Sequence, residues 1–327
     1  MALFCCVTAY FLIGGCGTGS SSAPGSQRFY IADTANSRIV RTDDFSGTNW
    51  TTFGTVGIGT DELDRPTGIA FDSSNNIYIV DSGNGRIVRM SDFTGTNWTT
   101  FGSEGFAPDQ FNHPSQIAID SLNNLYITDT GNNRVVMINA ANFATGAGWT
   151  TLGGAGSGVN QFNAPTGIYL DSQRRIYVAD SGNNRIVTMN NITGAGWSAF
   201  GSLGSATDQF NTPTGIAQDA QGLFYITDSG NNRVVRVSGL TGINVNWTTI
   251  GAGLGFNLTN FNDPTAIAIY NYPSSATSTT PYVYVVDTGN SRVVRYAGIT
   301  DTDPLIIGFA GNSLYQFSSP SGMTIHQ

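Results

Sequence analysis

The chain has 327 residues, 41 of them glycine, with 40% apolar residues and a net charge of −8. A core can form, and glycine on this scale predicts many tight turns. The acidity excludes a nucleic-acid binder, which needs a basic stripe to displace counterions from phosphates. All 14 basic residues are arginine, and Glu62 and Glu104 are the only glutamates among 22 acids. Helix surfaces draw on lysine, glutamate and alanine, so the composition predicts an all-β protein.

At the N-terminus, Ala2 to Ile13 is apolar apart from Thr8. A bilayer span takes about 20 residues, so this shorter run reads as the apolar region of a signal peptide. It ends in Leu12-Ile13-Gly14-Gly15-Cys16, which resembles a bacterial lipobox with Cys16 as the lipidated residue. No lysine or arginine precedes the run, a departure from the usual pattern. The expected division is a signal peptide at 1–15, a Gly/Ser-rich tether at 16–27 and a folded body at 28–327. Because Gly17 is not aspartate, the resemblance implies an outer-membrane lipoprotein. The remaining cysteines, Cys5 and Cys6, also precede the body. The body therefore has no disulfide framework and no cysteine metal site.

From residue 28 onward the chain repeats six times. The motif Asp-Ser/Thr-x-Asn-x-Arg begins at Asp33, Asp81, Asp129, Asp180, Asp228 and Asp287, and ends at Arg38, Arg86, Arg134, Arg185, Arg233 and Arg292; in the first copy its third residue is Ala35. A second motif opens on Pro66, Pro114, Pro165, Pro213, Pro264 and Pro320, and a tryptophan recurs at Trp50, Trp98, Trp149, Trp197 and Trp247. Each unit reads as four short strands. In the second unit these are Gly68 to Phe71, Ile77 to Val80, Arg86 to Arg89 and Trp98 to Phe101, bounded by Asp, Ser, Asn and Gly. Four strands in a unit of this length predict a propeller blade. The expected blades are 320–327 with 28–54, then 66–102, 114–153, 165–201, 213–251 and 264–308. The first is shared between the chain ends, which closes the ring without an open sheet edge.

Gln161 to Ile168 followed by Ile176 to Val187, QFNAPTGI and IYVADSGNNRIV, resembles an NHL repeat. The resemblance spans residues 28–327 and implies a six-bladed β-propeller whose face holds a protein or other ligand.

Each Asp–Arg pair is expected to clamp the turn between second and third strands, where positive φ suits the intervening Gly and Asn. A ring of ligand carboxylates is the alternative; repetition in every blade favours clamps. The tryptophans are read as packing beside the outer strands, and Asp72 to Asn76 as a hairpin turn rather than a calcium loop. The residue before each recurring proline changes chemistry from blade to blade. Arg65, His113, Ala164, Thr212, Asp263 and Ser319 are therefore expected to ring the channel mouth and to choose the ligand. His113 and His326 are the only histidines. No catalytic residue, metal ligand or cofactor is assigned. The functional expectation is a monomeric, non-enzymatic binding module on the cell envelope. It would meet the membrane through a lipid anchor only, with a protein or other envelope ligand as partner and no nucleic acid. The alternative is a propeller lyase or hydrolase with a metal-assisted site at the channel mouth.

Overall fold

The computed structural model describes residues 27–241, 246–251, 253–255, 257, 259–271, 280–298, 301 and 303–326. The expected signal segment, Cys16 and all but the last residue of the tether lie outside them, as does most of 271–281, where the longer spacing from Pro264 to Asp287 predicts an extended turn between the first and second strands. Among the described residues no helix is long and apolar enough to cross a membrane.

Six antiparallel four-stranded sheets form the blades, each with its strands in spatial order from the axis outward. In blade 2 these are Pro66–Phe71, Ile77–Asp81, Arg86–Met90 and Thr99–Phe101. The inner strand starts two residues earlier than the sequence pattern predicts. Proline lacks an N–H, so it is tolerated at a strand start, and a bulge between Pro66 and Ile69 absorbs the irregular register. Trp98 falls outside the outer strand because its N–H turns back to the Gly95 carbonyl at 3.2 Å.

The ring closes across the chain ends. Gly322–His326 is the inner strand of blade 1 and pairs with Arg28–Asp33, with Phe29 opposite Ile325 and Ile31 opposite Met323. Each sheet packs a neighbouring blade on both faces, so the middle strands lose the apolar–polar alternation of a half-solvated sheet. Tyr78 and Val80 face blade 3, meeting Ile117, Leu125 and Ile127. The intervening Ile77 and Ile79 face blade 1, meeting Tyr30 and Ile39.

The linker from each outer strand to the next inner strand drives one apolar side chain between blades. Leu63, Phe111, Phe162, Phe210, Phe261 and Phe317 are all fully buried. Burial of each contributes about 2 kcal/mol, which pins an otherwise irregular segment to the body.

Candidate functional site at the linker end

Asp81 shows how the recurring turn positions the surface. Its buried carboxylate accepts the Asp64 N–H on Oδ1 at 2.7 Å, and Asn84 Nδ2 and Arg86 Nε on Oδ2 at 2.8 and 2.7 Å. The Gly83 N–H returns to the Asp64 carbonyl at 2.8 Å. The Arg86 guanidinium then donates to the Ile58 and Glu62 carbonyls at 2.6 and 2.9 Å. The turn thus grips the linker that enters its own blade. The other five pairs, Asp33–Arg38, Asp129–Arg134, Asp180–Arg185, Asp228–Arg233 and Asp287–Arg292, repeat the contact at 2.6–2.7 Å. Burial pushes the Asp81 carboxyl up, against the pull of Asn84, the Asp64 N–H and Arg86. Both oxygens are committed to protein donors. The arginines also lie over tryptophan rings: Arg134 over Trp149 at 5.5 Å and Arg233 over Trp247 at 5.5 Å.

These contacts place the linkers and the turns between second and third strands at one end of the propeller. The six variable residues lie there. Arg65, His113, Thr212, Asp263 and Ser319 are exposed and Ala164 is half-buried. All six have φ between 45° and 52°. Their backbones are tied to the preceding blade: Asn133, Asn184 and Asn232 accept the N–H of Ala164, Thr212 and Asp263 on Oδ1 at 2.8, 2.8 and 2.9 Å. His113 Nδ1 lies 2.6 Å from Asn112 Oδ1, and Arg65 Nε 3.5 Å from Asp64 Oδ1.

None of the six lines the axial cavity beneath. That cavity, about 150 Å³, is walled by the hydroxyl residues Thr67, Ser115, Thr166, Thr214, Thr265 and Ser321, with Gln116 and Gly167. The hydroxyls join blades. Ser115 meets Thr130 at 2.6 Å, and Thr130 donates to the Pro165 carbonyl of the next blade at 2.6 Å; Thr166, Ser181 and Pro213 repeat the chain. The Ser/Thr of the two recurring motifs thus relay from blade to blade around the axis in five blades, and in blade 2 Thr67 reaches the Pro114 carbonyl itself at 3.4 Å.

Inner strands crowd below this ring. A Cβ on Gly322 would collide with the Thr67 carbonyl oxygen, so that position takes no side chain. The equivalent positions are Gly68, Gly167, Gly215 and Ala266, but Gln116 in blade 3. Gln116 lines both the small cavity and a wider one of about 490 Å³ that the C-terminal halves of the inner strands surround. His326 lines the wider cavity, stacked on Phe71 at 4.0 Å. Burial and the nearby Arg28 push its imidazole below the ordinary range. His113 and His326 thus stand at opposite ends of the propeller. Asp72, expected in a hairpin turn, accepts the Ser74 and Asn76 N–H groups at 2.9 Å and the Tyr78 hydroxyl at 3.1 Å. Among the described residues no group of three or more His, Cys, Asp or Glu is placed to hold a metal ion.

The family profile described as NHL repeat matches residues 63–90, 111–136, 162–188 and 210–237. No curated protein matches the chain in sequence. Among solved structures, a chain of a nidogen/laminin complex is similar, with a TM-score of 0.65 at 19% identity over 91% of this chain and 98% of that one. A streptogramin B lyase gives 0.59 at 15% identity over 92% and 84%. A virginiamycin B lyase from Staphylococcus aureus gives 0.58 at 14% identity over 92% and 86%. At these identities the likeness concerns the fold. The first and last blades repeat the Asp–Arg geometry of the four matched segments. With those four segments matched and the clamp geometry common to all six blades, the chain carries NHL repeats and folds as a six-bladed β-propeller.

Proposed function

We propose that this chain is an exported, lipid-anchored propeller that acts as a non-enzymatic binding module, with the linker end as its recognition surface. The carrying observation is the left-handed backbone of the six variable residues. That conformation favours glycine, or else Asn and Asp. Among the described residues, Asn or Asp stands at 12 of the 16 other non-glycine positions of positive φ, yet at only one of these six. Each also precedes proline, which disfavours compact backbone. A conformational cost of about 1 kcal/mol per residue is thus accepted to present arginine, histidine, alanine, threonine, aspartate and serine at equivalent places. Backbone strain of this kind clusters at ligand sites. The similar chain in the nidogen/laminin complex comes from a protein–protein assembly, which supports a protein partner. The two histidines stand at opposite ends of the propeller and so do not pair with each other.

Photo-crosslinking in the native envelope tests this reading. A crosslinking residue at Thr212 should capture a discrete partner, and one at Ser74, in the turn between first and second strands, should not. Capture only from Ser74, or from neither position, would sink it.

A further inference from the structure

The linkers differ sharply in charge, while each of the six carries an exposed apolar side chain. Together they hold Asp61, Glu62, Asp64, Glu104, Asp109, Asp208 and Asp263 against Arg65 alone, which is six of the chain's eight net negative charges. Five of those acids, including both glutamates of the protein, sit on the adjacent linkers 54–65 and 102–113 that flank blade 2. The same two linkers carry the three most exposed large apolar side chains among the described residues: Phe106 at 84%, Ile58 at 75% and Val56 at 73%. Between linker 54–65 and the outer strand of blade 2 lies a surface groove of about 310 Å³, with Ile58 and Thr60 on one wall, Trp98 and Thr100 on the other, and the clamped Arg86 also lining it.

From this coincidence we infer that the rim of blade 2 docks a partner polypeptide through a segment in which arginine or lysine alternates with large apolar residues. This deepens the binding-module reading and rests on it. The exposed Val56, Ile58 and Phe106 supply the apolar contacts, and the groove beside Ile58, mainly polar in its lining, seats the partner's polar atoms. The surrounding carboxylates steer and register a cationic partner. The same charges repel an anionic membrane or nucleic acid. They also repel the same face of a second copy.

The probe is a fluorescent 12-residue peptide of alternating leucine and arginine, with a leucine–glutamate peptide as its counterpart, read by anisotropy on the full folded chain. The cationic peptide should bind and weaken as salt rises; the anionic one should not bind. V56S/I58S/F106S and D61N/E104Q/D109N should each weaken binding about tenfold, while L122S/D208N, away from this rim, should leave it unchanged. All substituted side chains but that of Asp208 are exposed in the structure, and an unaltered Tm checks each fold. Affinity retained in either rim variant overturns the inference, as does equal binding of both peptides or a loss in the distant variant. If photo-crosslinking captures a partner whose footprint avoids blade 2, the inference falls and the binding-module reading stands.

Discussion

Asp81 and Arg65 are 16 positions apart, yet they do opposite work. Asp81 is fully buried and its two oxygens take one backbone and two side-chain donors. Arg65 is exposed and its charged group meets Asp64 at the surface. Removing Arg86 leaves the Asp81 charge buried without its cation and releases the Ile58 and Glu62 carbonyls, so Arg86→Ala should cost about 3 kcal/mol of unfolding free energy. Arg65→Ala keeps the backbone that Ala164 already adopts, and should stay within about 0.5 kcal/mol. Chemical denaturation of the two variants checks this; a larger loss for Arg65→Ala would reverse both assignments. The Asp–Arg spacing was legible because turn geometry is local, five residues from end to end. The hydroxyl relay was not, because its links, such as Thr130 to Pro165, join different blades. Nor was Gln116: its meaning emerges only when six inner strands converge and five bring glycine or alanine.

At the scale of elements, strand identity follows from β-branched and aromatic runs between turn residues, and five repeated units supplied the template for a sixth split between the chain ends. The seam is held twice. Inner and second strands pair from Arg28–His326 to Ala32–Gly322, and the first blade's clamp grips the last linker, with Arg38 donating to the Gln316 carbonyl at 2.9 Å and Asp33 accepting the Ser318 N–H at 2.6 Å. Deleting 321–327 should strip the first pairing, leave the second-strand edge at Phe29 to Ala32 open and lower the Tm. It should also promote association through that edge. A truncated chain that melts as the full one does and stays monomeric would break the shared-blade account. The linkers were the least legible elements. They lie between the expected blades; the structure shows one buried apolar plug and an exposed apolar side chain in each, with acids gathered mainly on two of them.

For the whole molecule, six near-equivalent blades build a rigid ring in which the clamps and plugs are repeated and the variable residues are not. Arg28 and His326 meet where the first and second strands of blade 1 pair, at the end away from the linkers. Under the proposed anchoring, an 11-residue tether after Cys16, of typical reach roughly 18 Å, would hold that end toward the membrane and turn the linker end outward. The central claim is that recognition happens there. Hydrogen exchange of the propeller with its crosslink-identified partner bound, compared with the free propeller, tests it most directly. Slowed exchange should concentrate in linkers 54–65 and 102–113, with the turns 72–76, 120–124, 171–175 and 219–223 unchanged. Protection confined to those turns, or to the inner-strand residues around the wide cavity, would contradict the account.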